Sequence, residues 1–360
     1  MKFANRLERL SPYVPGEQPK IEGLIKLNTN ENPFPPAPGV KEAVLQAAEN
    51  LQKYSDPEAA VLCQALAETF GLKKEEVICG NGSDEILAFA FLAFCDKDHP
   101  AVFPRVTYGF YEVLANLFQV PTRRFELQSD LSIDPAECCQ KGETVFLANP
   151  NAPTGILMPL SSVERILKAD PDRVVVLDEA YADFAPENGR SLIERYENLL
   201  IVRTFSKSRS LAGGRLGFAL GNQKLIEGMR RIKDSFHPYN VNAMTQAAGI
   251  SVLKAEAYTK KTADQVIKTR ERTKKVLKDQ GFELTDSAAN FLFLKKAGFE
   301  GKALAEELRK KKILVRHFNT PGIEDYLRVS VGSEEEMDFF LKAITELTAT
   351  EKQESERKKG

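Results

Sequence analysis

Short apolar runs alternate with stretches of helical periodicity through the middle of the chain. The apolar runs that predict buried strands lie at 77–79, 101–103, 144–147, 174–177 and 199–202. Apolar residues at helical spacing predict helices at 41–53, 59–70, 83–94, 108–118 and 159–169. This alternation predicts an α/β fold, in which a mostly parallel sheet is flanked by helices.

The two ends of the chain have a different pattern. Residues 1–39 are irregular and rich in proline, and a long helical stretch occupies about 241–280. Further strands and helices are then predicted at 290–294, 300–311, 313–316, 326–331 and 334–348. We therefore expect three parts, listed here with their bounds: a large domain at 40–254, a smaller α+β domain made of 255–349 with the N-terminal arm 1–39, and a disordered tail at 350–360.

Two of the predicted strands end in residues that can do chemistry. Lys207 follows the run that ends at Val202, and Asp178 and Tyr181 follow the preceding run. In a parallel sheet, ligands bind at the carboxyl ends of the strands. A lysine there can form a Schiff base with an aldehyde cofactor, while a carboxylate keeps a pyridine nitrogen protonated. This set predicts a pyridoxal 5′-phosphate (PLP) enzyme, with Lys207 as both covalent anchor and general base.

A phosphate site and a ring platform complete the requirements of PLP. The glycine-rich segment 80–85 follows a strand and opens a helix, whose free amides and dipole favour an anion. Taken alone, such a segment is more often an ordinary helix start. Side chains of Ser206, Ser208 and Arg215 can converge on the same phosphate. Tyr108, just before a helix, is the candidate to stack on the pyridine ring.

Composition and charge exclude several other classes of protein. Lysine and arginine number 50 against 51 aspartates and glutamates, so no net field attracts nucleic acid. No apolar run approaches the roughly 20 residues that span a bilayer, and no signal peptide is evident. The cysteines and histidines lack metal-ligand spacing, so we expect no metal site. Cys63, Cys79 and Cys95 are expected to be buried thiols, the pair Cys138 and Cys139 to lie at the surface, and the enzyme to be cytoplasmic.

Seven short motifs stand in an order that is typical of a known family. They lie at 28–33, 80–85, 107–109, 149–155, 178–181, 204–207 and 327–332. In this order and spacing, the chain resembles the class II aminotransferases of fold type I, and among them the histidinol-phosphate aminotransferases. The resemblance runs from about residue 11 to 347. It implies the fold of a PLP-dependent transferase, with a large domain and a smaller α+β domain.

The resemblance also implies roles for individual residues around PLP. Lys207 would be the Schiff-base lysine, Asp178 the partner of the pyridinium nitrogen, and Tyr181 the donor to the ring oxygen. The other implied cofactor contacts are Tyr108 on the ring and, around the phosphate, Gly82, Ser83, Asp84, Ser206 and Arg215. Tyr54 would reach the cofactor phosphate in the site of the partner subunit, which implies a symmetric homodimer whose sites are built from both subunits.

The substrate contacts implied in the same way come from both ends of the chain. Arg328 would bind the carboxylate of glutamate or 2-oxoglutarate, and Arg316 a second substrate anion. Tyr13, Asn30 and Asn290 would close over the substrate or border it.

One position departs from the family pattern. The family has an asparagine that donates to the ring oxygen where this chain has Ala152. Either Asn151 takes over that contact through a local backbone shift, or Tyr181 alone donates to the ring oxygen. Losing one neutral hydrogen bond costs only about 0.5–1.5 kcal/mol, so a working enzyme is expected.

The implied reaction converts L-histidinol phosphate and 2-oxoglutarate to imidazole-acetol phosphate and L-glutamate in histidine biosynthesis. Two other enzymes share these motifs: a lyase resembling threonine-phosphate decarboxylase and an aromatic amino acid aminotransferase. A PLP-binding regulator is a further alternative, but the near-zero net charge and the lack of an added DNA-binding segment argue against it.

Overall fold

The apolar runs form the centre of two sheets in the computed structural model, which describes residues 2–4, 7–8 and 10–357. The strands in chain order are β1 (Ile25–Leu27), β2 (Val77–Gly80), β3 (Ala101–Pro104), β4 (Thr122–Phe125), β5 (Thr144–Ala148), β6 (Val175–Asp178), β7 (Leu199–Thr204), β8 (Gly217–Gly221), β9 (Glu283–Leu284), β10 (Phe291–Lys295), β11 (Ile313–His317) and β12 (Leu327–Ser330). The helices are α1 (Val40–Ala48), α2 (Ala60–Phe70), α3 (Ser83–Phe94), α4 (Phe110–Phe118), α5 (Leu160–Ala169), α6 (Gln223–Phe236), α7 (Ala243–Lys254), α8 (Glu256–Asp279), α9 (Gly301–Lys310) and α10 (Glu334–Arg357).

The large sheet has seven strands in the order β2-β8-β7-β6-β5-β3-β4. Only β8 within this sheet runs antiparallel to its neighbours β2 and β7. Side chains alternate between its two faces: Leu177 belongs to the core on one face and Val176 to the core on the other. Because both faces are covered, the strands read as continuous apolar runs. The predicted α/β fold is therefore confirmed.

The small sheet has the strand order β1-β11-β12-β10-β9. Strand β1 pairs in parallel with β11, so the start of the chain is built into the sheet formed by its end. A separate apolar core, with Leu27, Phe340 and Ile344 among its members, fills the space between this sheet and the helices behind it. The domain boundaries of the sequence analysis stay a prediction.

The structure differs from the sequence prediction at several element bounds. The helical stretch at 241–280 is two helices, α7 and α8, which meet at Ala255. The tail expected to be disordered overlaps α10, which continues to Arg357, and residues 358–360 lie outside the described part.

The cysteines follow the prediction except at one position. Cys63, Cys79 and Cys95 are buried, and Cys139 is half-buried. Cys138, which we expected at the surface, is buried because its turn packs into the core that covers one face of the large sheet. Its backbone carbonyl accepts a hydrogen bond from the buried Arg173 guanidinium.

Candidate functional site

A cavity of about 910 Å³ opens where the strands of the large sheet end. The large sheet contributes Asp178 and Lys207, the small sheet contributes Arg328, and the segment before β1 contributes Tyr13. Residues far apart in the sequence therefore meet at one place, at the strand ends where an α/β sheet binds its ligands.

Lys207 points its amine at the N-terminal segment. Its Nζ donates to the backbone carbonyl of Thr29 at 3.1 Å and lies 5.8 Å from the centre of the Tyr181 ring. The Asn32 side chain donates to the Lys207 carbonyl at 3.0 Å and so holds the backbone in place. Burial lowers the pKa of the Lys207 amine to about 8, and the charge of Arg328 adds to this effect. The amine is therefore a far better nucleophile and base near neutrality than an exposed lysine.

Asp178 ends β6 as a buried carboxylate. Its Oδ2 accepts a hydrogen bond from the Tyr111 hydroxyl at 2.8 Å, and its Oδ1 accepts one from the Ala180 amide at 3.2 Å. Burial raises the pKa of Asp178 to about 6, against the effect of those two donors. A buried carboxylate without a cationic partner among these contacts is suited to pair with a cation supplied by a ligand.

A buried hydrogen-bond network connects Tyr181 to the small sheet. The Asn30 side-chain amide donates to the Tyr181 hydroxyl at 2.9 Å, and the Asn30 backbone amide donates to Ser330 Oγ at 2.8 Å. Ser330 in turn donates to Asn30 Oδ1, and Asn290 donates to the Asn30 carbonyl, each at 3.0 Å. Asn290 Oδ1 is buried and has no partner within the described residues.

The N-terminus of α3 faces the Arg215 guanidinium across a narrow gap. Gly82 has a φ of +84°, and a Cβ there would lie 2.5 Å from Arg215 Nη2. Arg215 donates to Asp84 at 3.0 Å, and the Tyr108 hydroxyl donates to the other oxygen of that carboxylate at 2.7 Å. Ser206 completes the lining on the side of β7. Two kinds of anion donor, helix amides and a guanidinium, thus converge here.

Arg328 and Arg316 stand opposite each other on β12 and β11. Arg328 Nη2 donates to the Asn28 carbonyl at 3.0 Å, whereas its buried Nε has no partner among the described residues. Burial lowers the pKa of the Arg328 guanidinium, which lies 5.5 Å from the Phe318 ring. Arg316 lies 5.6 Å from the same ring and donates to the Val14 carbonyl at 3.4 Å. The pair presents positive charge to an anionic ligand.

Buried ion pairs hold the loop that carries Lys207. Arg203 binds Glu179 at 2.6 Å and Asp183 at 3.0 Å, and Asp183 also accepts hydrogen bonds from Ser208 and Arg209. Burial would raise the pKa of Asp183, but Arg209 and Arg203 outweigh it and lower the pKa to about 2. Ser208, expected at the phosphate, is engaged in this network instead.

Most of the residues expected at the site line the cavity. These are Tyr13, Asn30, Ser83, Asp84, Tyr108, Asp178, Tyr181, Ser206, Lys207, Arg215, Arg316 and Arg328. Gly82 and Asn290 stand directly behind it. Tyr54 lies away from the cavity of its own chain: its side chain is 85% exposed and stacks on Tyr239, with ring centres 4.7 Å apart.

Asn151 departs from the expected arrangement. Its side chain donates to the Val106 carbonyl at 3.1 Å and accepts from Thr107 at 2.8 Å, and Ala152 lines the cavity in its place. The asparagine side chain is instead directed towards the segment that follows β3, where it satisfies buried polar groups.

Two contributors were missed by the sequence analysis. Tyr111, which binds Asp178, and Arg203, which anchors the Lys207 loop, are both buried among residues of other elements. Tyr111 lies three residues after Tyr108, in a segment rich in aromatic residues, but nothing in that pattern identifies Asp178 as its partner.

Comparison with known proteins places these features in one family. The family model described as aminotransferase class I and II matches residues 22–344. Histidinol-phosphate aminotransferase 1 of Hydrogenovibrio crunogenus is 43% identical over 97% of this chain and 98% of the relative. Histidinol-phosphate aminotransferase 2 of Dechloromonas aromatica is 46% identical over 94% of this chain and 97% of the relative.

A solved structure agrees over the same length. Histidinol-phosphate aminotransferase from Sinorhizobium meliloti, in complex with pyridoxal-5′-phosphate, superposes with a TM-score of 0.86 at 26% identity, over 97% of this chain and 98% of that one. From the family model and the relatives together, the chain belongs to the class I and II aminotransferases.

Proposed function

We propose that this chain is a PLP-dependent histidinol-phosphate aminotransferase of histidine biosynthesis. It would convert L-histidinol phosphate and 2-oxoglutarate to imidazole-acetol phosphate and L-glutamate. The observation that carries the proposal is one cavity holding a lysine of lowered pKa, a buried carboxylate and two arginines. The relatives named for this reaction, 43% and 46% identical over nearly the whole chain, support the choice of substrate.

The residues present fit PLP in charge and in space. The gap between Gly82 and Arg215 is a cradle that a single Cβ would fill, and both of its sides carry anion donors. The buried Asp178 carboxylate suits a protonated ring nitrogen, and the Lys207 amine suits an aldehyde. When bound, PLP supplies a carbonyl that takes up amino groups and a ring that accepts electrons from the substrate Cα.

Each protein group then has a task that follows from its surroundings. The Lys207 amine takes a proton from the substrate Cα and returns one, because its pKa of about 8 lets it exist in both forms near neutrality. Asp178 would hold the positive ring nitrogen of PLP, and Tyr181 would donate a hydrogen bond to the ring oxygen. Arg328, with its unpartnered Nε, binds the carboxylate of glutamate or 2-oxoglutarate. Arg316 binds a second anion of the substrate.

We propose further that the enzyme works in the cytoplasm as a homodimer in which Tyr54 serves the partner's site. The position of its side chain supports this, because the ring is 85% exposed, lies away from the cavity of its own chain and is therefore accessible to a second subunit. Within the described residues, no helix has the length and apolar character needed to span a membrane.

The substrate is tested by a half-reaction on the purified holoenzyme. Histidinol phosphate should convert the bound cofactor rapidly to its amino form, as seen by loss of the visible absorbance, and 2-oxoglutarate should restore it. Lys207→Ala, the matched control, should keep the fold and lose this change. Carbon dioxide release from threonine phosphate without amino transfer, or faster conversion by aromatic amino acids, would contradict the proposed substrate.

The composite site is tested by mixing two inactive variants. Tyr54→Ala should lower activity about tenfold, and Lys207→Ala should abolish it. When equal amounts are unfolded and refolded together, about half of the dimers should be mixed. Each mixed dimer contains one intact site out of two, so roughly a quarter of the wild-type sites should be restored. Lys207→Ala mixed with Asp178→Ala should restore no intact site, because Lys207 and Asp178 belong to the cavity of one chain and neither variant supplies both groups. If the mixture of Tyr54→Ala and Lys207→Ala recovers no activity, Tyr54 does not reach the site of the partner subunit.

A further inference from the structure

Tyr111 contacts two residues of the site, but the proposed reaction assigns no role to it. It lies in the first turn of α4 and is completely buried, and its hydroxyl donates to Asp178 Oδ2 at 2.8 Å. The edge of its ring meets the Tyr108 ring at 5.7 Å between centres, with an interplanar angle of 88°. Phe103 and Phe146 pack against it, with ring centres 5.8 Å and 5.9 Å away.

We propose that Tyr111 is a positioning residue that fixes Asp178 and Tyr108 for the cofactor ring, the first through its hydroxyl and the second through its ring edge. This inference rests on the proposed function, because it assigns Asp178 to the nitrogen of the cofactor ring and Tyr108 to the face of that ring.

The hydroxyl determines how the Asp178 carboxylate is oriented. The Ala180 amide holds Oδ1 and Tyr111 holds Oδ2, so rotation of the carboxylate about its bond to Cβ would break both hydrogen bonds. A group that must meet a ring nitrogen gains from such preorganisation, because the cost of ordering it is met during folding.

The charges around Asp178 leave Tyr111 as the side chain that favours its ionised form. Asp84 on α3 and Glu179 beside it both raise the pKa of Asp178, as does burial, whereas the Tyr111 hydroxyl and the Ala180 amide lower it. Burial raises the pKa of Tyr181, and the charge of Asp178 adds to this effect. Removing the hydroxyl therefore favours the neutral acid, which cannot pair with a protonated ring nitrogen.

The test is a double-mutant cycle read out as PLP affinity, measured by titrating PLP into the apoenzyme. Tyr111→Phe keeps the aromatic packing and deletes one oxygen, and it should weaken PLP binding about tenfold at pH 7.5, with the acid limb of the affinity profile moved to higher pH. In the Asp178→Asn background, the same substitution should change affinity less than about twofold, because the carboxylate is gone.

Tyr258→Phe is the matched control. It deletes a phenol that donates to the Pro35 carbonyl at 3.0 Å, outside the cavity, and it should leave PLP affinity unchanged. If Tyr111→Phe does not fold, 2,3-difluorotyrosine at position 111 keeps the shape of the ring and strengthens its donor. The acid limb should then move to lower pH.

Three outcomes would overturn the inference. They are an unchanged affinity and pH profile in Tyr111→Phe, an equal loss with and without the Asp178 carboxylate, and an acid limb that does not respond to fluorination. A wild-type protein that binds no PLP would instead contradict the proposed function itself, so the two failures are distinguishable.

Discussion

Lys207 combines a half-buried position with an amine that is proposed to react, and its pKa of about 8 reconciles the two. An ordinary lysine with a pKa of 10.5 is almost fully protonated near neutrality, and only the neutral amine attacks an aldehyde. Burial is therefore the cause of the reactivity and not an obstacle to it.

A pH dependence of cofactor capture follows from this shift. The folded pKa is lowered, so the fraction of neutral Lys207 rises with pH through about 8 and is complete well before 10.5. The rate at which apoenzyme captures PLP, followed by stopped-flow absorbance, should rise through that midpoint and then level off. Lys207→Ala should show no such covalent phase. A rate that continues to climb beyond pH 10 would contradict the assigned pKa.

Single residues differed in how far the sequence could predict them. Lys207 and Asp178 could be located because each directly follows an apolar strand and carries a charge that is costly to bury without a function. The roles of Tyr111 and Asn151 depend on partners in other elements. Asn151 in particular prefers the Val106 carbonyl and Thr107 to the cavity, a choice that depends on tertiary contacts.

The proposed binding of the cofactor phosphate depends on the start of α3. Gly82 combines a positive φ with close approach to Arg215, so both its backbone and its lack of a side chain are needed. Here the two anion donors come from neighbouring but opposed strands, since Gly82 follows β2 and Arg215 precedes β8.

Gly82→Ala should therefore separate phosphate binding from aldehyde binding. The new Cβ would lie 2.5 Å from Arg215 Nη2, and the backbone at φ +84° and ψ 163°, a combination adopted almost only by glycine, adds about 1–3 kcal/mol of strain. Affinity for PLP should fall at least tenfold, whereas affinity for pyridoxal, which lacks the phosphate, should change little. Gly213→Ala is the control, because a Cβ there meets nothing within 4 Å. Equal losses for both ligands would rule out a specific effect on the phosphate.

Strands could be predicted from the sequence where both of their faces are buried. Strands β6 and β7 are buried throughout and begin with uninterrupted apolar runs, because helices cover both faces of the large sheet. Strand β4 has the sequence Thr-Arg-Arg-Phe at the sheet edge, and β8 is bounded by glycines, so neither gives an apolar run. The break between α7 and α8 at Ala255 could not be predicted either, because no proline or glycine marks it in the sequence.

Asn30 joins the two sheets of the molecule. Its side chain bonds Tyr181 on one side and Ser330 on the other, and its backbone carbonyl accepts from Asn290. Asn30 has a left-handed φ of 53°, which asparagine tolerates better than most residues. One short polar side chain is thus hydrogen-bonded to both parts of the molecule.

Asn30→Gly should loosen this junction without straining the backbone, because glycine keeps the left-handed conformation. Loss of two buried side-chain hydrogen bonds should lower the free energy of unfolding by about 2–3 kcal/mol, measured with urea. Amide hydrogen exchange should speed up in β1 and β12 more than in β6. Thr69→Val, which removes an exposed hydrogen bond within α2, should alter neither measurement. Uniform acceleration across both sheets would contradict a local role for Asn30.

Because β1 pairs with the C-terminal strand β11, the complete cavity can form only late in the synthesis of the chain. Asn30 and its partner Ser330 are 300 residues apart, and a ribosome adding about 5–20 residues per second needs about 15–60 s to bridge that interval. Lys207 and Asp178 leave the ribosome long before β11 and β12 do. A nascent chain can therefore assemble the strand ends of the large sheet and still lack Arg316 and Arg328. With the roles proposed for these residues, capture of the cofactor precedes recognition of the substrate, which waits for the C-terminal strands to emerge.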